Sequence, residues 1–402
     1  MTLSDICVLP WVSLETTPLG TIRPCCLADF NVTDEAGKDL SLDTVTLDQA
    51  FNGEYMKDLR QQFIDGKKPE TCRRCWNEEA AGRTSKRMNS YLRLKQILNN
   101  IEIDFTGTDG KLIFLDLKLG NICNLKCRIC GSFSSSKWAQ EEIEIQKEWP
   151  TEYKNSLPYQ HLQKGQWPRK NLDFWTNMKD LLPYVRYLEF TGGEPFLIQE
   201  HFDLLRTAVE LGHAGNIEIH YNTNATNFPK EGVELWPNFK LVEIAFSIDD
   251  VGSRFEYQRY GAKWEEANTN IQKFQQLKKQ NKNIILQHCL TVNVFNIYYL
   301  KELFQWMIKQ RFDSTYFNVL HDAWYFSIRS LPDAAKQELV ELYKDNKLYK
   351  NEVDNLMRFM MQGQSSNGED LRRHTDESDR HRKQHLADFH PDLAKAINYE
   401  KA

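Results

Sequence analysis

Along most of the chain, short apolar runs alternate with segments that have the spacing of amphipathic helices. Six runs rich in β-branched and aromatic residues predict strands, and they lie at 112–119, 185–191, 217–224, 241–249, 283–293 and 314–320. Helical patterns such as FDLLRTAVELG and YYLKELFQWMIKQ stand between several of these runs. Strands that alternate with amphipathic helices predict an α/β fold with a parallel sheet. Six strands favour a partial (β/α)6 barrel over the complete barrel of eight.

The two ends of the chain have different patterns. Residues 1–107 predict a small α+β domain, which begins with a hairpin around Pro18 and Gly20 and continues with helices. The end of the chain is polar and charged. We therefore expect this small domain, a barrel domain at 108–330 and a polar, helical extension at 331–402.

Composition narrows the class of protein. The chain has 402 residues, of which 41% are hydrophobic and 27% charged, and its formal net charge of −5 argues against a general nucleic-acid binder. No apolar run reaches the roughly 18 residues of a membrane-spanning helix. The first residues lack the pattern of a secretory signal. The sequence therefore predicts a cytoplasmic protein without a membrane segment.

Nine cysteines are the most informative feature of the composition. Disulfides are not expected in such a chain, and an odd number of thiols cannot all pair. Five cysteines lie within the first 75 residues, and three lie within eight positions of each other. Cys289 stands alone in an apolar run, where we expect a buried structural thiol. The two clusters predict two metal sites.

The central cysteines have the spacing Cys123-x3-Cys127-x2-Cys130 and follow the first predicted strand directly. Three thiolates on one loop are too few for a closed four-cysteine site, but they suit a [4Fe–4S] cluster with one open iron. An incomplete zinc site is the alternative, although zinc sites usually combine two C-x2-C units or add histidine.

A second motif, Gly192-Gly193-Glu194-Pro195, follows the second predicted strand. Two glycines let the backbone approach a ligand closely, and a carboxylate accepts hydrogen bonds from an ammonium group. In isolation these four residues would indicate only a turn. Their place at a strand end, after the three cysteines, indicates a ligand site instead.

Together the two motifs resemble those of the radical S-adenosylmethionine (SAM) superfamily. The resemblance implies that the three cysteines hold a [4Fe–4S] cluster, that SAM chelates its open iron, and that the Gly-Gly-Glu segment binds the SAM amino group. One electron from the cluster would then cleave SAM, and the 5′-deoxyadenosyl radical would take a hydrogen atom from the substrate. The residue before the last cysteine is commonly aromatic in this family, and here it is Ile129.

Polar residues near the ends of later strands are further candidates, because ligands bind at the carboxyl ends of parallel strands. Ser247 lies near the end of the fourth predicted strand, and Asn293 ends the fifth. Arg259 follows the fourth strand, where it or Arg254 would neutralise the SAM carboxylate. We expect Ser247, Arg259 and Asn293 to contact SAM; a helix cap or a loop hydrogen bond is the alternative for each.

The N-terminal cysteines offer five candidates for one site: Cys7, Cys25, Cys26, Cys72 and Cys75. Their pattern, with Pro-Cys-Cys followed by a helix and C-x2-C-W, resembles the twitch domain, which is half of a SPASM module and holds an auxiliary [4Fe–4S] cluster. Here it precedes the barrel, as in the radical SAM proteins with an N-terminal twitch domain. We favour ligation by Cys7, Cys25, Cys72 and Cys75, with Cys26 a substitute for Cys25 or a spare thiol. On spacing alone, a zinc ribbon is the alternative.

The segment after the last of these cysteines carries Arg83, Lys86 and Arg87. A solvated helix face is the simpler interpretation of these cations. Contact with an anionic substrate or with the cluster is the functional interpretation.

The two clusters imply a radical SAM enzyme of oxidoreductase type. Four cysteine ligands would leave no auxiliary iron open to substrate, so that cluster would accept an electron and make the net reaction an oxidation. The expected partners are a reducing protein, such as flavodoxin or ferredoxin, and the substrate. A peptide or protein side chain is the first substrate class, and a small sugar, nucleoside or aminoglycoside is the second. A non-enzymatic protein with structural metal is a third class, which the Gly-Gly-Glu motif disfavours.

Overall fold

The computed structural model describes residues 6–80, 84–98, 101–147, 153–321, 323–363 and 366–399. Its strands are β1 (Ser13–Thr16), β2 (Ile22–Arg23), β3 (Phe114–Lys118), β4 (Lys126–Cys127), β5 (Tyr187–Thr191), β6 (Glu218–Thr223), β7 (Leu241–Ser247), β8 (Arg259–Tyr260), β9 (Ile284–Val292) and β10 (Ser314–Val319). Its α-helices are α1 (Leu9–Val12), α2 (Leu47–Asn52), α3 (Glu54–Ile64), α4 (Arg73–Ala80), α5 (Lys86–Leu98), α6 (Ser136–Lys147), α7 (Leu157–Lys164), α8 (Trp167–Lys170), α9 (Leu172–Leu181), α10 (Gln199–Glu210), α11 (Lys230–Leu235), α12 (Gly252–Gln258), α13 (Trp264–Gln280), α14 (Leu300–Gln310), α15 (Asp333–Tyr343), α16 (Lys350–Met361), α17 (Glu369–Arg382), α18 (Leu386–Phe389) and α19 (Pro391–Ala396).

All six strands predicted from residue 112 onward are present, as β3, β5, β6, β7, β9 and β10. The alternation of apolar and polar residues explains them, because successive side chains of a strand point to opposite faces. In β9, for example, buried and half-buried residues alternate along the whole strand. The predicted α/β fold with a mostly parallel sheet is therefore confirmed.

The first of two compact units comprises Met1–Asn124, Ser132–Tyr221 and Pro229–Glu243. Its strands lie in the order β2-β1-β3-β5-β6. All these neighbours are parallel except β1 and β2, which are antiparallel. The N-terminal segment thus contributes β1 to the same sheet as β3, a pairing that the sequence pattern did not predict. The predicted boundary near residue 107 stays a prediction.

The two faces of this sheet differ in chemistry. Leu115, Leu117, Leu188 and Phe190 are fully buried on one face. Helix α10 covers part of that face, where the His201 ring lies 4.9 Å from the Phe190 ring. Burial of these large apolar side chains stabilises the sheet by the hydrophobic effect. The opposite face carries the polar residues that form the candidate site.

A buried arginine joins separate parts of the N-terminal segment. Arg60 of α3 is fully buried, and its guanidinium donates hydrogen bonds to the carbonyls of Pro10, Phe51 and Thr108, each at 2.8 Å. Burial lowers the pKa of Arg60 to about 10. One side chain thus satisfies three carbonyls that are distant in sequence, as buried polar groups require.

The second unit comprises Leu125–Gly131, Asn222–Phe228 and Ile244–Ala402. In this unit, β9 lies beside the end of β7 in the sheet, and β10 lies beside β9. Strands β9 and β10 are parallel. Strands β4 and β8 form a separate antiparallel pair. Helices α12 to α19 complete this unit. In the described part of the chain, no helix has the length and apolarity to cross a membrane.

Candidate iron–sulfur and substrate site

The three cysteines of the central motif lie on one loop that leaves the sheet after β3. Cys123 belongs to the first unit, where its backbone N–H donates to the hydroxyl of Ser136 at 3.3 Å. Cys127 and Cys130 belong to the second unit, where the N–H of Cys130 donates to the carbonyl of Cys127 at 3.0 Å. Cys127 is half-buried and Cys130 is exposed. The loop thus presents its thiols near the protein surface.

Arg128 anchors the part of this loop that belongs to the second unit. Its buried guanidinium pairs with the carboxylate of Asp379 in α17 at 2.5 Å and lies 3.5 Å from the centre of the Tyr257 ring. A buried ion pair of this kind fixes geometry, because breaking it would leave an uncompensated charge. The C-terminal extension therefore helps to hold Cys127 and Cys130, a role that the sequence did not indicate.

The Gly-Gly-Glu segment continues the pairing of β5 with the chain that leads into the cysteine loop. The N–H of Gly193 donates to the carbonyl of Gly120 at 3.1 Å. The N–H of Glu194 donates to the carbonyl of Ile122 at 2.9 Å. Gly192 has a φ of 113°, and a Cβ at Gly193 would lie 2.3 Å from the carbonyl oxygen of Ile122. Both glycines are therefore required by this close approach of two backbones.

Glu194 places a carboxylate at this strand end. The residue is 1% exposed, and its Oε1 accepts a hydrogen bond from the N–H of Phe196 at 3.3 Å. A carboxylate shielded from water attracts a cation more strongly than an exposed one does. The position therefore suits the binding of an ammonium group.

Arg259 lies opposite Cys127 in the short pairing of β4 with β8. Its Nη1 is 3.8 Å from the Sγ of Cys127, and its Nη2 is 2.6 Å from the Oδ2 of Asp249. Burial disfavours the guanidinium charge, but Asp249 and Cys127 outweigh burial and raise the pKa of Arg259. The second unit thus holds a permanent positive charge beside this cysteine.

The other two predicted SAM contacts lie in the same unit. Ser247 is half-buried at the end of β7. Asn293 is fully buried, and its amide donates to the carbonyl of Thr291 at 3.0 Å and accepts from the N–H of Phe295 at 2.9 Å. The loop interaction considered as the alternative for Asn293 is therefore present.

Four N-terminal cysteines line one cavity in the first unit: Cys7, Cys25, Cys72 and Cys75. Burial raises the pKa of Cys7, and the neighbouring thiols raise it further. Within the described residues, no three His, Cys, Asp or Glu side chains form a site for a single metal ion. A [4Fe–4S] cluster instead takes one thiolate at each of four irons, and four thiols around one cavity fit it.

Asp29 connects the two chain segments that supply these cysteines. Its backbone N–H donates to the carbonyl of Thr71 at 3.0 Å, next to Cys72. Its carboxylate pairs with Arg73 at 2.6 Å and with Arg74 at 2.9 Å. These contacts hold the start of α4 against the loop that follows β2, which is why cysteines almost fifty residues apart share a cavity.

Cys25 and Cys26 point to different surroundings. Cys25 lines the cavity, whereas the Sγ of Cys26 accepts a hydrogen bond from the Nζ of Lys86 at 2.7 Å. Burial raises the pKa of Cys26 to about 12, although the Lys86 ammonium opposes this effect. This placement favours Cys25 as the cluster ligand. That Cys26 is a spare thiol stays a prediction.

Lys86 and Arg87 line the cysteine cavity and do not form a solvated helix face. Arg87 makes a two-point ion pair with Glu79 at 2.8 and 2.9 Å, which joins α5 to α4. Arg83, the third cation of this segment, lies outside the described residues.

The polar face of the sheet in the first unit carries a row of ionisable side chains that the sequence analysis missed. Glu15 of β1 is the register partner of Asp116 of β3, Asp116 is the partner of Glu189 of β5, and Glu189 is the partner of His220 of β6. Register partners on adjacent strands place their side chains on the same face. We call these four residues the charged face.

At one end of the charged face, carboxylates alternate with cations. Glu15 pairs with Arg23 at 2.9 Å and also with Lys118, and Lys118 lies 3.4 Å from Asp116. Burial raises the pKa of Asp116 to about 6, and the carboxylate of Glu189 adds to this effect against the opposing charge of Lys118.

At the other end, a carboxylate of the next strand accepts two partners. Glu243 of β7 lies 2.6 Å from the Nδ1 of His220 and 2.8 Å from the guanidinium of Arg93 in α5. Arg93 also contacts the Tyr187 hydroxyl and lies over its ring. Side chains of α5 therefore meet the charged face of the sheet.

A signal for the charged face was present in the sequence. In FLDLK, Asp116 and Lys118 alternate with leucines, and in YLEFT, Glu189 stands between Leu188 and Phe190. Ionisable residues at alternate positions of otherwise buried strands indicate a face that packs against polar groups or a ligand and not against the core. What the sequence alone does not give is the register that aligns the residues of different strands.

Two family models match the chain. Residues 117–291 match the radical SAM superfamily, and residues 7–76 match the SPASM domain, an iron–sulfur cluster-binding domain. No curated protein matches the chain. The first match covers the cysteine loop and the Gly-Gly-Glu segment, and the second covers the four cysteines of the N-terminal cavity.

Solved structures with a similar fold include native anSMEcpe with bound AdoMet, at 14% identity and a TM-score of 0.35, over 56% of this chain and 57% of that one. They also include Streptococcus suis SuiB, at 15% identity and a TM-score of 0.36, over 83% of this chain and 67% of that one. A third is TYW1 with a lysine-pyruvate adduct bound, at 11% identity and a TM-score of 0.32, over 57% and 72% of the two chains. The match to anSMEcpe thus spans little more than half of that protein.

The sheet, the cysteine loop and the N-terminal cysteine cavity define an iron–sulfur protein built on an α/β fold. The chain carries a radical SAM domain at residues 117–291 and a twitch-type SPASM domain at residues 7–76. These two domains imply a SAM-binding [4Fe–4S] cluster and an auxiliary cluster, together with SAM itself.

Proposed function

We propose that this radical SAM enzyme cleaves SAM reductively, abstracts a hydrogen atom from a bound substrate and oxidises that substrate with the help of its auxiliary cluster. The observation that carries the proposal is the pairing of the Gly-Gly-Glu segment with residues 120–122, immediately before the first cysteine of the loop. When bound, the SAM cluster supplies the electron that generates the 5′-deoxyadenosyl radical.

The residues of the chain have distinct tasks in SAM binding. The cluster ligands are Cys123, Cys127 and Cys130. The two glycines allow close approach, and the buried carboxylate of Glu194 accepts hydrogen bonds from the SAM ammonium. In the second unit, Arg259 supplies a positive charge for the SAM carboxylate, and Ser247 and Asn293 complete the proposed set. Asn293 is also hydrogen-bonded within its loop, which holds its side chain in a fixed position for that contact.

The auxiliary cluster is held by Cys7, Cys25, Cys72 and Cys75. With four thiolates from the chain, it has no iron left for substrate, which suits acceptance of one electron from a substrate radical. Arg87 and Lys86 beside the cavity offset the negative charge of four thiolates. A net oxidation follows, and a reducing protein such as flavodoxin or ferredoxin supplies the electron for SAM cleavage in the cytoplasm.

The substrate classes proposed are a peptide or protein side chain and, as the alternative, a small sugar, nucleoside or aminoglycoside. The charged face supports a polar substrate in either case, because ionised groups at a buried surface need partners.

Anaerobic reconstitution tests the two-cluster model. We expect about eight irons per chain, and Cys123→Ala should remove about half of them together with all 5′-deoxyadenosine formation. Replacing both Cys72 and Cys75 with Ala should also remove about half of the iron and abolish product formation. Cys289→Ala, outside both clusters, is the matched control and should retain iron and turnover.

Two results would contradict the proposal. One is an iron content of about four irons per wild-type chain, because two [4Fe–4S] clusters require about eight. The other is unchanged substrate turnover in the Cys72 and Cys75 double variant, which would exclude an electron-accepting role for the auxiliary cluster.

A further inference from the structure

The carboxylate of Asp379 in α17 joins two parts of the second unit. Its Oδ1 accepts hydrogen bonds from the guanidinium of Arg128 in the cysteine loop at 2.5 Å and from the hydroxyl of Tyr257 in α12 at 3.0 Å. Its Oδ2 accepts from the backbone N–H of Leu386 at 2.7 Å and from the hydroxyl of Tyr399 at 3.2 Å. One oxygen thus contacts the cysteine loop and α12, and the other contacts the residues that follow α17.

Burial gives this junction a fixed geometry. Asp379, Arg128 and Tyr257 are all buried. A buried carboxylate needs partners for its charge and for its lone pairs, and the four donors supply both. The pair of Asp379 with Arg128 therefore differs from an ion pair on the surface, which water and salt weaken.

Through Arg128, the junction reaches the antiparallel pair of β4 and β8, which we call the β4–β8 ribbon. The backbone N–H of Arg128 donates to the carbonyl of Gln258 at 2.7 Å, and its Nε donates to the carbonyl of Tyr257 at 3.0 Å. These bonds adjoin the pair of Cys127 in β4 with Arg259 in β8, which are register partners. A shift of Arg128 would therefore displace both strands of the ribbon.

Helix α17 also contacts the ribbon directly. The guanidinium carbon of Arg382, three residues after Asp379, lies 4.9 Å from the centre of the Tyr260 ring. Tyr260 is the register partner of Lys126, which forms the second residue pair of the ribbon. The helix thus supports both pairs of the ribbon, one through Tyr260 and the other through Arg128.

The ribbon sets a separation on which SAM binding depends. The Nη1 of Arg259 lies 3.8 Å from the Sγ of Cys127, and its Nη2 lies 2.6 Å from the carboxylate of Asp249. In the proposed function, Cys127 is a cluster ligand and Arg259 contacts the SAM carboxylate. A ligand that must meet the cluster and a guanidinium together is sensitive to shifts of about 0.5 Å between them.

We propose that Asp379 is a positioning residue of the SAM site, which acts through Arg128 and Tyr257 to hold Cys127 and Arg259 at the separation that SAM requires. This inference rests on the proposed function and adds helix α17 to the structure that binds SAM. Asp379 contacts no ligand itself, because its four donors occupy the lone pairs of both oxygens.

The test compares SAM affinity with stability in the anaerobically reconstituted holoenzyme. Equilibrium dialysis measures SAM binding, and thermal unfolding followed by circular dichroism measures the midpoint. Asp379→Asn should weaken SAM binding about tenfold or more and lower the midpoint, because Arg128 becomes a buried charge without its partner. Asp376→Asn, which alters an exposed ion pair of the same helix, is the matched control and should bind SAM like the wild type.

A double variant separates positioning from stability. Arg128→Gln combined with Asp379→Asn removes both buried charges, so the midpoint should return towards that of the wild type. SAM binding should stay about tenfold weaker or worse, because neither side chain then holds the ribbon. An iron content that falls to about four in Asp379→Asn and remains there in the stable double variant has the same meaning.

Two milder variants keep the test usable if Asp379→Asn does not fold. Tyr257→Phe and Tyr399→Phe each remove one hydroxyl donor, on opposite sides of the same carboxylate. Tyr257→Phe should weaken SAM binding about threefold, because its hydroxyl lies on the side of the ribbon. Tyr399→Phe should have a smaller effect.

The inference is overturned if Asp379→Asn binds SAM like the wild type, or if SAM affinity recovers together with the midpoint in the double variant. Equal losses of SAM affinity in Tyr257→Phe and Tyr399→Phe would also overturn it. Its failure is distinguishable from failure of the proposed function. Wild-type enzyme that binds SAM and forms 5′-deoxyadenosine with dithionite, while the variants bind SAM equally well, refutes only the role of Asp379. Wild-type enzyme with both clusters that forms none refutes the proposed function itself.

Discussion

The ammonium of Lys86 lies 2.7 Å from the thiol of Cys26, one residue beyond the cavity cysteine Cys25. This contact separates two adjacent cysteines that the sequence alone could not distinguish. Cys25 points to the cavity lined by three other cysteines, and Cys26 points to a lysine that also interacts with Glu189 of the charged face.

The first prediction follows from that separation. Cys25→Ser should lower the iron content of the reconstituted enzyme from about eight to about four, because it removes one of four ligands of the auxiliary cluster. Cys26→Ser should keep about eight, and it is the matched control. Iron analysis and electron paramagnetic resonance of the reduced protein measure both. The reverse outcome would show that Cys26 is the ligand.

A second prediction concerns the close approach at the Gly-Gly-Glu segment. In Gly193→Ala, the new Cβ would lie 2.3 Å from a carbonyl oxygen of the backbone, and overpacking of this kind costs about 1–3 kcal/mol. We expect a lower urea midpoint and weaker SAM binding by equilibrium dialysis. Gly215→Ala has no heavy atom within 4 Å of its Cβ and serves as the control. Unchanged SAM affinity in Gly193→Ala would argue against a ligand site here.

A third prediction concerns pH. Because burial raises the pKa of Asp116 to about 6 in the folded protein, its protonated form is favoured by folding. The resulting stabilisation is present at low pH and is lost as pH rises through about 6, with a change of about 1 kcal/mol between about pH 5 and about pH 7. Asp116→Asn cannot titrate, so its stability relative to the wild type should increase over that interval.

Urea midpoints of the wild type and Asp116→Asn across this interval provide the measurement for the third prediction. Asp58→Asn, at an exposed position of α3, should run parallel to the wild type. A constant difference between wild type and Asp116→Asn at every pH would mean that Asp116 does not titrate in this range.

A fourth prediction concerns the buried arginine of the N-terminal segment. Arg60→Met removes the donors to three carbonyls and should lower the free energy of unfolding by about 3 kcal/mol or more, since each unsatisfied buried acceptor costs about 1–3 kcal/mol. Denaturation followed by circular dichroism measures the loss. Arg206→Met, at an exposed pair of α10, should have little effect. A loss below about 1 kcal/mol in Arg60→Met would show that water replaces the arginine donors.

The strands of this fold were predictable because each carries its own pattern. Leu115 and Leu117 alternate with Asp116 and Lys118 within β3, and no distant residue is needed to recognise the strand. The pairing of β1 with β3 was not predictable. Four residues such as Ser13–Thr16 carry too short a pattern, and the partner strand lies about a hundred positions away.

The same limit applies to the site. Cysteine spacing identified the central group of candidate ligands, because Cys123, Cys127 and Cys130 lie on one loop. The N-terminal group was identified by its resemblance to the twitch pattern. The alignment of Glu15, Asp116, Glu189 and His220 depends on the register of four strands. Lys86 was visible only as a cation on a helix. Its position between the cysteine cavity and the charged face depends on how α5 packs, which no local pattern encodes.

The parallel pairing of Ser13–Thr16 with Phe114–Lys118 has a consequence for biogenesis. Closing a loop of about a hundred residues is entropically slow, so this edge of the sheet forms late relative to local helices and turns. Cys7 precedes β1 and Cys25 follows β2, and both remain on an undocked segment until that step. We therefore expect the final arrangement of these two cysteines to depend on that step. A chain that ends before residue 114 during synthesis lacks the strand with which β1 pairs.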